Sequence, residues 1–478
     1  MPLDPQLTWA GALYVASEWV IRIAMLFYVP QKRTPAAART WLLFIFLVPW
    51  AGLAFYALVG RIYLPKRRLR LAARAQPLVA EMRASLAPVS FDAAAAVPPN
   101  FAGAVRLADA VSVFPVCGGN RLELLADYEQ GIGRLVDDIR AAQRSIHLLY
   151  YIFADDEVGR AVGQALAAAV QRGVSVRLLM DSMGSRPSFR RLVPELRAQG
   201  IEVVELLRPG LFNRNSARFD LRNHRKIAVI DGRIGYTGSQ NIVSAHANAG
   251  LTNEELVVRC EGPVVQQLLA VLLADRMFEG CPPVGDTTLF APPVSAGPSP
   301  AQVVPTGPGY LEPDIEQVMV SLIYGAARRI VLVSPYFIPD TVFLRAIRLA
   351  ARRGVEVNLV VSRRSNKRVV QFAQESFYDE LLDAGVRIHL YRGFLHAKHH
   401  TFDDDIALAG SSNLDIRSFA LNQEVSVLVY DRSVVADFLR LQERYMAGSD
   451  LLDAHDWRQR PQWRRLLQNV SRLTDSFL

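Results

Sequence analysis

Two stretches of this chain, about 170 residues apart, carry the same polar skeleton. In "NHRKIAVIDGRIGYTGSQN" (223–241) it consists of His224, Lys226, Asp231, Gly238, Ser239 and Asn241. In "LHAKHHTFDDDIALAGSSN" (395–413) it consists of His396, Lys398, Asp403, Gly410, Ser411 and Asn413. In an extended segment residues i and i+2 share a face, so each histidine stands beside its lysine. The Gly-Ser-x-Asn turns add Ser239, Asn241, Ser411 and Asn413, candidates to hold phosphate oxygens near a strand-to-helix turn whose free amides favour an anion. Two such sets facing each other would converge imidazoles, ammonium groups and amides on one phosphodiester. Breaking a P–O bond through a covalent intermediate needs a neutral imidazole to attack and a protonated one to supply the leaving alkoxide with a proton. One histidine cannot do both at once; duplication supplies the second.

Each copy also has a carboxylate downstream, Glu255 in "NEE" and Glu424 in "NQE", 31 residues after His224 and 28 after His396. A carboxylate on Nδ1 would fix the tautomer and leave Nε2 facing phosphorus. The spacing does not say which glutamate serves which histidine. Asp231 and Asp403 belong to the repeated, catalytic-type skeleton, but a turn or charge-balancing role fits them better than chemistry. His396 and His400 are four apart, which suggests zinc. Strand geometry scatters those rings, however, and the first copy has no equivalent, so no metal and no other cofactor is expected.

The elements needed to position these groups are visible on either side of them. "SIHLLYYIFAD" reads as a strand, "EVGRAVGQALAAAVQRG" as a helix and "VSVRLLMDS" as a second strand; "RIVLVSPYFIPD", "TVFLRAIRLAARRG" and "VEVNLVVSRR" repeat the order. The body is therefore an α/β fold made of two copies of one unit, 111–290 and 310–478, joined by a Pro/Gly-rich linker at 291–309. The last segment, with Trp457, Trp463, Arg464 and Arg465, is an amphipathic tail that suits a membrane surface or a plain terminal helix.

Of the 478 residues 51% are hydrophobic, which directs attention to membrane segments. Trp41–Gly60 runs 20 residues without a charge and predicts a span kinked at Pro49. Leu7–Val29 predicts another, in which Glu18 and Arg22 stand at i and i+4 and pair. Residues 1–62 thus read as a membrane hairpin and 63–110 as a basic juxtamembrane linker, with Arg61, Lys66, Arg67, Arg68 and Arg70 on the cytoplasmic side. The formal charge of +8 favours phospholipid headgroups, nucleic acid or phosphorylated metabolites as partners. Three scattered cysteines without CxxC spacing argue against a disulfide framework and for a reducing compartment.

These residues resemble the phospholipase D superfamily, whose signature is a duplicated HKD motif, and within it the bacterial cardiolipin synthases. The likeness covers nearly the whole chain, through "RTPAAARTWLLFIFLVPWAGLAFYALVG", "YYIFADDEVGR", "LRNHRKIAVIDG", "SPYFIPD", "GFLHAKHH" and "GSSNLDIRSFALNQE". It implies two phospholipase D-like units packed about a pseudo-twofold axis. It also implies metal-independent transfer of a phosphatidyl group between two phosphatidylglycerols, giving cardiolipin and glycerol. On that likeness His224 attacks and His396 is the acid and then the base, while Lys226, Lys398, Asn241 and Asn413 hold phosphate oxygens. The first copy lacks the Arg417-Ser418 that follows the second turn, so the assignment of the two histidines stays open. The expected partners are phosphatidylglycerol and anionic lipids of a bacterial inner membrane, with the protein anchored by several passes and its body cytoplasmic. Hydrolysis, transfer to another alcohol, or a tethered nuclease are the rival readings; nucleic acid is not the expected partner, since no RRM, zinc-finger or helix-turn-helix pattern is present.

Overall fold

Alternation of Val, Ile and Leu with small residues makes the strands of the body, and the apolar stripes of "EVGRAVGQALAAAVQ" and "TVFLRAIRLAAR" make its covering helices. The computed structural model describes residues 5–33, 35–60, 66–210, 221–247, 252–284, 293–308, 315–365 and 368–472. The chain divides into two units, 1–65 with 209–220, and 66–208 with 221–478.

In the small unit, α1 (Pro5–Tyr28) is the single described helix long and apolar enough to cross a membrane, over Trp9–Tyr28. Glu18 and Arg22 pair as their spacing predicts, at 3.3 Å, and Arg22 also donates to the Phe46 carbonyl at 3.2 Å. The second expected span is not continuous. Pro49 has no N–H and its ring crowds the preceding turn, and the chain breaks at Val48 (φ −136°) into α2 (Pro35–Leu47) and α3 (Pro49–Val59). These fold back on each other, bringing the Trp41 and Tyr56 rings to 5.1 Å. Gly52 permits the approach, since a Cβ there would lie 2.7 Å from Ile45 Cα. At 13 and 11 residues, each is too short for the ~30 Å hydrocarbon layer. The expected hairpin of two spans is thus one long helix and one bent pair.

In the large unit four short described strands make two two-stranded pairings, and the other fifteen form one sheet. Outward from its middle, the first half runs Cys117–Leu125, Val257–Glu261, Ile234–Gly238, Lys226–Ile230, Ser145–Tyr150, Ser175–Asp181 and Glu202–Leu206. The second half runs Ser299–Thr306, Glu424–Val429, Ile406–Gly410, His399–Phe402, Arg329–Val333, Glu356–Ser362 and Arg387–Tyr391, with Ser449–Leu451 added at the edge. The order is the same in both, and the halves join antiparallel through Cys117↔Ala301 and Asn120↔Ser299. Ser299–Thr306 lies within the stretch expected to be linker. Its two prolines do not prevent pairing, because the neighbouring Glu424–Val429 strand runs in register with it from Glu424↔Thr306 to Val429↔Ala301.

Residues expected as a juxtamembrane linker also fold into the body. Helix Lys66–Leu86 packs on helix Val264–Phe278, and Met82 and Leu86 are fully buried. Arg68, expected in the basic juxtamembrane run, is buried and grips Glu279 through two bonds of 2.9 Å. Arg61 lies outside the described residues, as do the side chains of Lys66 and Arg67; Arg70 is exposed. Every residue of Val264–Phe278 is buried, Gln266, Gln267, Asp275 and Arg276 included, and this helix shares a core with strands of both halves, among them Ile227, Val258, Val303 and Val427.

Candidate active site

Each His-x-Lys leads into a strand, Lys226–Ile230 or His399–Phe402, placed between two antiparallel neighbours in the same way. The residues just ahead of these strands cross to the other half. Asn223 bridges Gln423, and Phe394–Leu395 pairs with Asn253–Glu254. His224 N–H donates to the Gln423 carbonyl and His396 N–H to the Glu254 carbonyl, both at 2.8 Å. The backbone thus delivers each histidine to the glutamate that follows in the opposite half.

The glutamates answer the open question of pairing by exchange. His224 Nδ1 lies 3.1 Å from Glu424, and His396 Nδ1 lies 2.7 Å from Glu255. In both cases Nδ1 is the protonated nitrogen of the neutral ring, which leaves Nε2 free. His224 Nδ1 is also 3.1 Å from the Ser411 carbonyl, so its proton is shared. The lysines repeat the symmetry: Lys226 and Lys398 each donate to the carbonyl of the histidine two residues before, at 2.5 Å.

Burial holds His224 well below its ordinary value, at about 4, because the Glu424 charge does not offset it and Lys226 and Lys398 add repulsion. His396 is also lowered, by burial and by both lysines, against the pull of Glu255. His224 touches Ser411 and Glu424 of the second copy and His396 touches Glu255 of the first, which brings the two motifs to one centre. Burial raises the glutamates, but their histidine partners and the lysines reverse it, and both end below the usual range as anions. Both rings are therefore mainly neutral at pH 7, the form in which an imidazole can attack.

Burial lowers Lys226 to about 7 and Lys398 to about 8. An anion between them draws the protons back, so its binding should weaken as pH rises. With glycerophosphoglycerol, a diester with no proton to lose in this range, Kd is expected to climb above pH ~7, by up to about tenfold per pH unit for each lysine titrated. Calorimetry at several pH values tests this, and Lys226→Ala should flatten the profile.

Other expected site residues take different places. Ser411 Oγ donates to Glu424 at 2.5 Å, and Ser239 Oγ donates to the Leu256 carbonyl at 3.2 Å and accepts from the Leu256 N–H at 2.9 Å, so both hydroxyls are engaged within the protein. Asn241 accepts from the Ile152 N–H at 3.1 Å, which leaves its NH2 group to donate. Asn413, 8% exposed, follows the corresponding turn. The helix expected after each turn is a five-residue one in the second copy, Ile416–Ala420, with Asp415 capping the Ser418 N–H; the first copy continues as a turn through 247.

Asp231 and Asp403 are away from the centre. Each stands five residues beyond its lysine, roughly 16 Å along the strand. Both have positive φ, 53° and 51°. Asp231 accepts from the N–H groups of Gln143, Arg144 and Ser145, and Asp403 from those of Ala327, Arg328 and Arg329. They are turn clamps, which corrects their place among the catalytic skeleton. His399, in the "HAKHH" run, is buried against Gln442, Phe438 and Tyr445.

Two features were not read from the sequence. The Tyr151 ring lies 4.8 Å from the His224 ring and 5.5 Å from Lys226 Nζ, and so screens that histidine from water. Arg225, fully buried between His224 and Lys226, points to the opposite side. It binds Asp275, the Glu424 carbonyl (2.9 Å) and the Thr306 carbonyl (2.9 Å), while Asn223 joins Asp275 to Gln423 at 2.7 and 2.9 Å. The odd parity of Arg225 in an H-x-K was the available signal. Asp275→Ala would strand a buried guanidinium, and a loss of about 3–5 kcal/mol is expected in urea unfolding.

Residues 135–276 and 319–446 match the family described as "Cardiolipin synthase, PLD-like domain". The chain is 35% identical over 476 residues to cardiolipin synthase A of Pectobacterium carotovorum subsp. carotovorum (strain PC1), covering 96% of both. It is also 35% identical over 473 residues to cardiolipin synthase A of Serratia proteamaculans (strain 568), again covering 96% of both. The crystal structure of phosphatidylserine synthase from Haemophilus influenzae Rd KW20 superposes with a TM-score of 0.61 at 15% identity, over 78% of this chain and 100% of that one, which shows a common fold. With its two HKD copies, exchanged glutamates and full-length likeness, the chain belongs to the cardiolipin synthase family of phospholipase D-like proteins.

Proposed function

We propose that the chain transfers a phosphatidyl group from one phosphatidylglycerol to another, yielding cardiolipin and glycerol. The observation that carries this reading is the pair of oriented histidines, each held by a glutamate of the other half, with both lysines acting on both rings. His224 Nε2 attacks phosphorus, the bond to the leaving glycerol oxygen breaks, and His396, which first takes up a proton from solvent beside the anionic phosphate, gives that proton to the leaving oxygen. His396, now neutral, takes the proton of the incoming glycerol hydroxyl; that oxygen attacks phosphorus, and the N–P bond breaks. The depression of His224 by burial supports its role as nucleophile, and Lys226, Lys398, Asn241 and Asn413 would hold the phosphate oxygens.

The chemistry uses only these side chains. Turnover is therefore expected to survive EDTA; strong inhibition reversed by zinc would contradict this. Incubating membranes that contain the protein with labelled phosphatidylglycerol tests the reaction. Cardiolipin and glycerol are expected in equal amounts. Phosphatidic acid alone would make water the acceptor, and cleavage of DNA in place of lipid would make the chain a nuclease.

The setting that fits is a bacterial inner membrane, with the body on the cytoplasmic face. α1 supplies one span and the bent α2–α3 pair dips in beside it. The basic run from Arg61 supports this orientation, since the N-terminal segment before Glu18 has no Lys or Arg. Anchoring places the enzyme where both lipid substrates are concentrated.

A further inference from the structure

The C-terminal helix, Gln462–Arg472, is docked by the face that usually faces water. Gln468, 1% exposed, and Arg464 both bind Glu375, at 2.8 and 2.9 Å. Arg472 binds Glu380 at 2.7 Å and lies over the Phe377 ring. Arg460, just before the helix, binds Asp379 at 2.6 Å and Gln468 at 2.9 Å. Positions 464, 468 and 472 form one stripe. The opposite stripe, at the i, i+3, i+4, i+7 spacing, is apolar and outward: Trp463 is 62% exposed, Leu466 64%, Leu467 41% and Val470 51%.

A helix free to rotate in water would turn that stripe inward, because each such side chain gains ~1.5–3 kcal/mol on burial. Here the half-buried Arg–Glu contacts fix the opposite orientation. An outward row of Trp, Leu, Leu and Val is the contact surface of a helix that lies in a membrane interface. The surrounding charge indicates the kind of membrane. Of the five arginines in 454–472, Arg458, Arg460, Arg464 and Arg472 are paired with Asp383, Asp379, Glu375 and Glu380, and Arg465, within the helix and beside the apolar stripe, is exposed without an acidic partner among the described residues. We infer that this helix rests on an anionic lipid surface, with its apolar stripe in the headgroup–acyl boundary and the exposed Arg465 beside a lipid phosphate.

The helix is also connected to the site wall. It packs on helix Arg368–Glu375, whose Gln374 accepts from the Phe337 N–H at 3.1 Å. Phe337 pairs with Leu414, the residue after Asn413. Contact with lipid would therefore brace the second half close to one of its phosphate-binding candidates.

The test uses the full chain carrying Leu467→Cys in a Cys281→Ser background, labelled with bimane and reconstituted into vesicles. With phosphatidylglycerol in phosphatidylcholine, a blue shift and quenching by doxyl-labelled lipid are expected, both weaker in phosphatidylcholine alone. An unshifted, unquenched label in both vesicles would overturn the inference. So would a blue shift in lipid-free detergent that grows with protein concentration, since it would assign the stripe to a second copy of the chain. The double variant Trp463→Glu with Leu467→Glu, which leaves the Glu375 and Glu380 contacts intact, should cut turnover about tenfold at low phosphatidylglycerol mole fraction, the equivalent of one buried side chain, and leave kcat nearly unchanged. The fluorescence does not depend on catalysis, so docking can stand even if the proposed reaction fails.

Discussion

Replacing His224 with alanine is expected to lower turnover at least about 10⁴-fold, because the covalent route closes and only positioning remains. His396→Asn should be equally inactive on phosphatidylglycerol but for a different reason, and an activated substrate separates the two. In a phosphatidyl-p-nitrophenol ester the leaving phenolate needs no proton. The His396→Asn protein should then release about one equivalent of nitrophenolate as a burst and stop, since the base for the second half-reaction is missing. Mass spectrometry should find the phosphatidyl group on the peptide containing His224. A burst in His224→Ala protein instead, with the label on His396, would reverse the assignment. That outcome would also mean that the depression of His224 by burial does not select the nucleophile.

The second large effect concerns the exchanged glutamates. Glu424→Gln removes the anion that orients His224, and Glu255→Gln removes the one on His396. A loss of about 10²–10⁴ in kcat is expected for each on phosphatidylglycerol, in line with replacing the acid that orients a catalytic histidine. The two should diverge on the activated ester. Glu255→Gln should leave the nitrophenolate burst nearly intact, because His396 is not needed for that step, while Glu424→Gln should slow the burst itself. If each glutamate served the histidine of its own half, the results would be interchanged. Glu255 and Glu424 are both almost wholly buried, so glutamine, which keeps the volume, is the informative substitution; alanine would also open a cavity.

Much of this site was legible before the fold was known. A repeat of six polar residues at one spacing announces a pair of equivalent strands, and the repeated strand–helix–strand order announces an α/β body. The carboxylate candidates were also legible, since both follow Asn after a similar interval. Other features were not. Ser239 and Ser411 looked like phosphate ligands because their position in the turn is the same whether the hydroxyl faces a substrate, the Leu256 backbone or the buried Glu424 carboxylate. Asp231 and Asp403 repeat as strictly as the histidines, and only the three N–H groups on each show that the repetition serves a turn. Pro and Gly around 291–309 suggested a free linker, yet Ser299–Thr306 is a central strand, because pairing on both sides outweighs local propensity.

Taken alone, the sequence determined the chemistry of the centre: two imidazoles, two ammonium groups, two amides and a carboxylate for each ring. Residue type and spacing along one strand are local properties, and they survive in any arrangement of the halves. Only the tertiary structure decided that Glu424 belongs to His224 and Glu255 to His396. That choice depends on the short pairings of 223 with 423 and of 394–395 with 253–254, contacts far apart along the chain that no local pattern encodes. The turned-out apolar stripe of the last helix has the same origin. An amphipathic pattern states that two faces exist, and the ion pairs with Glu375 and Glu380 decide which of them meets the protein.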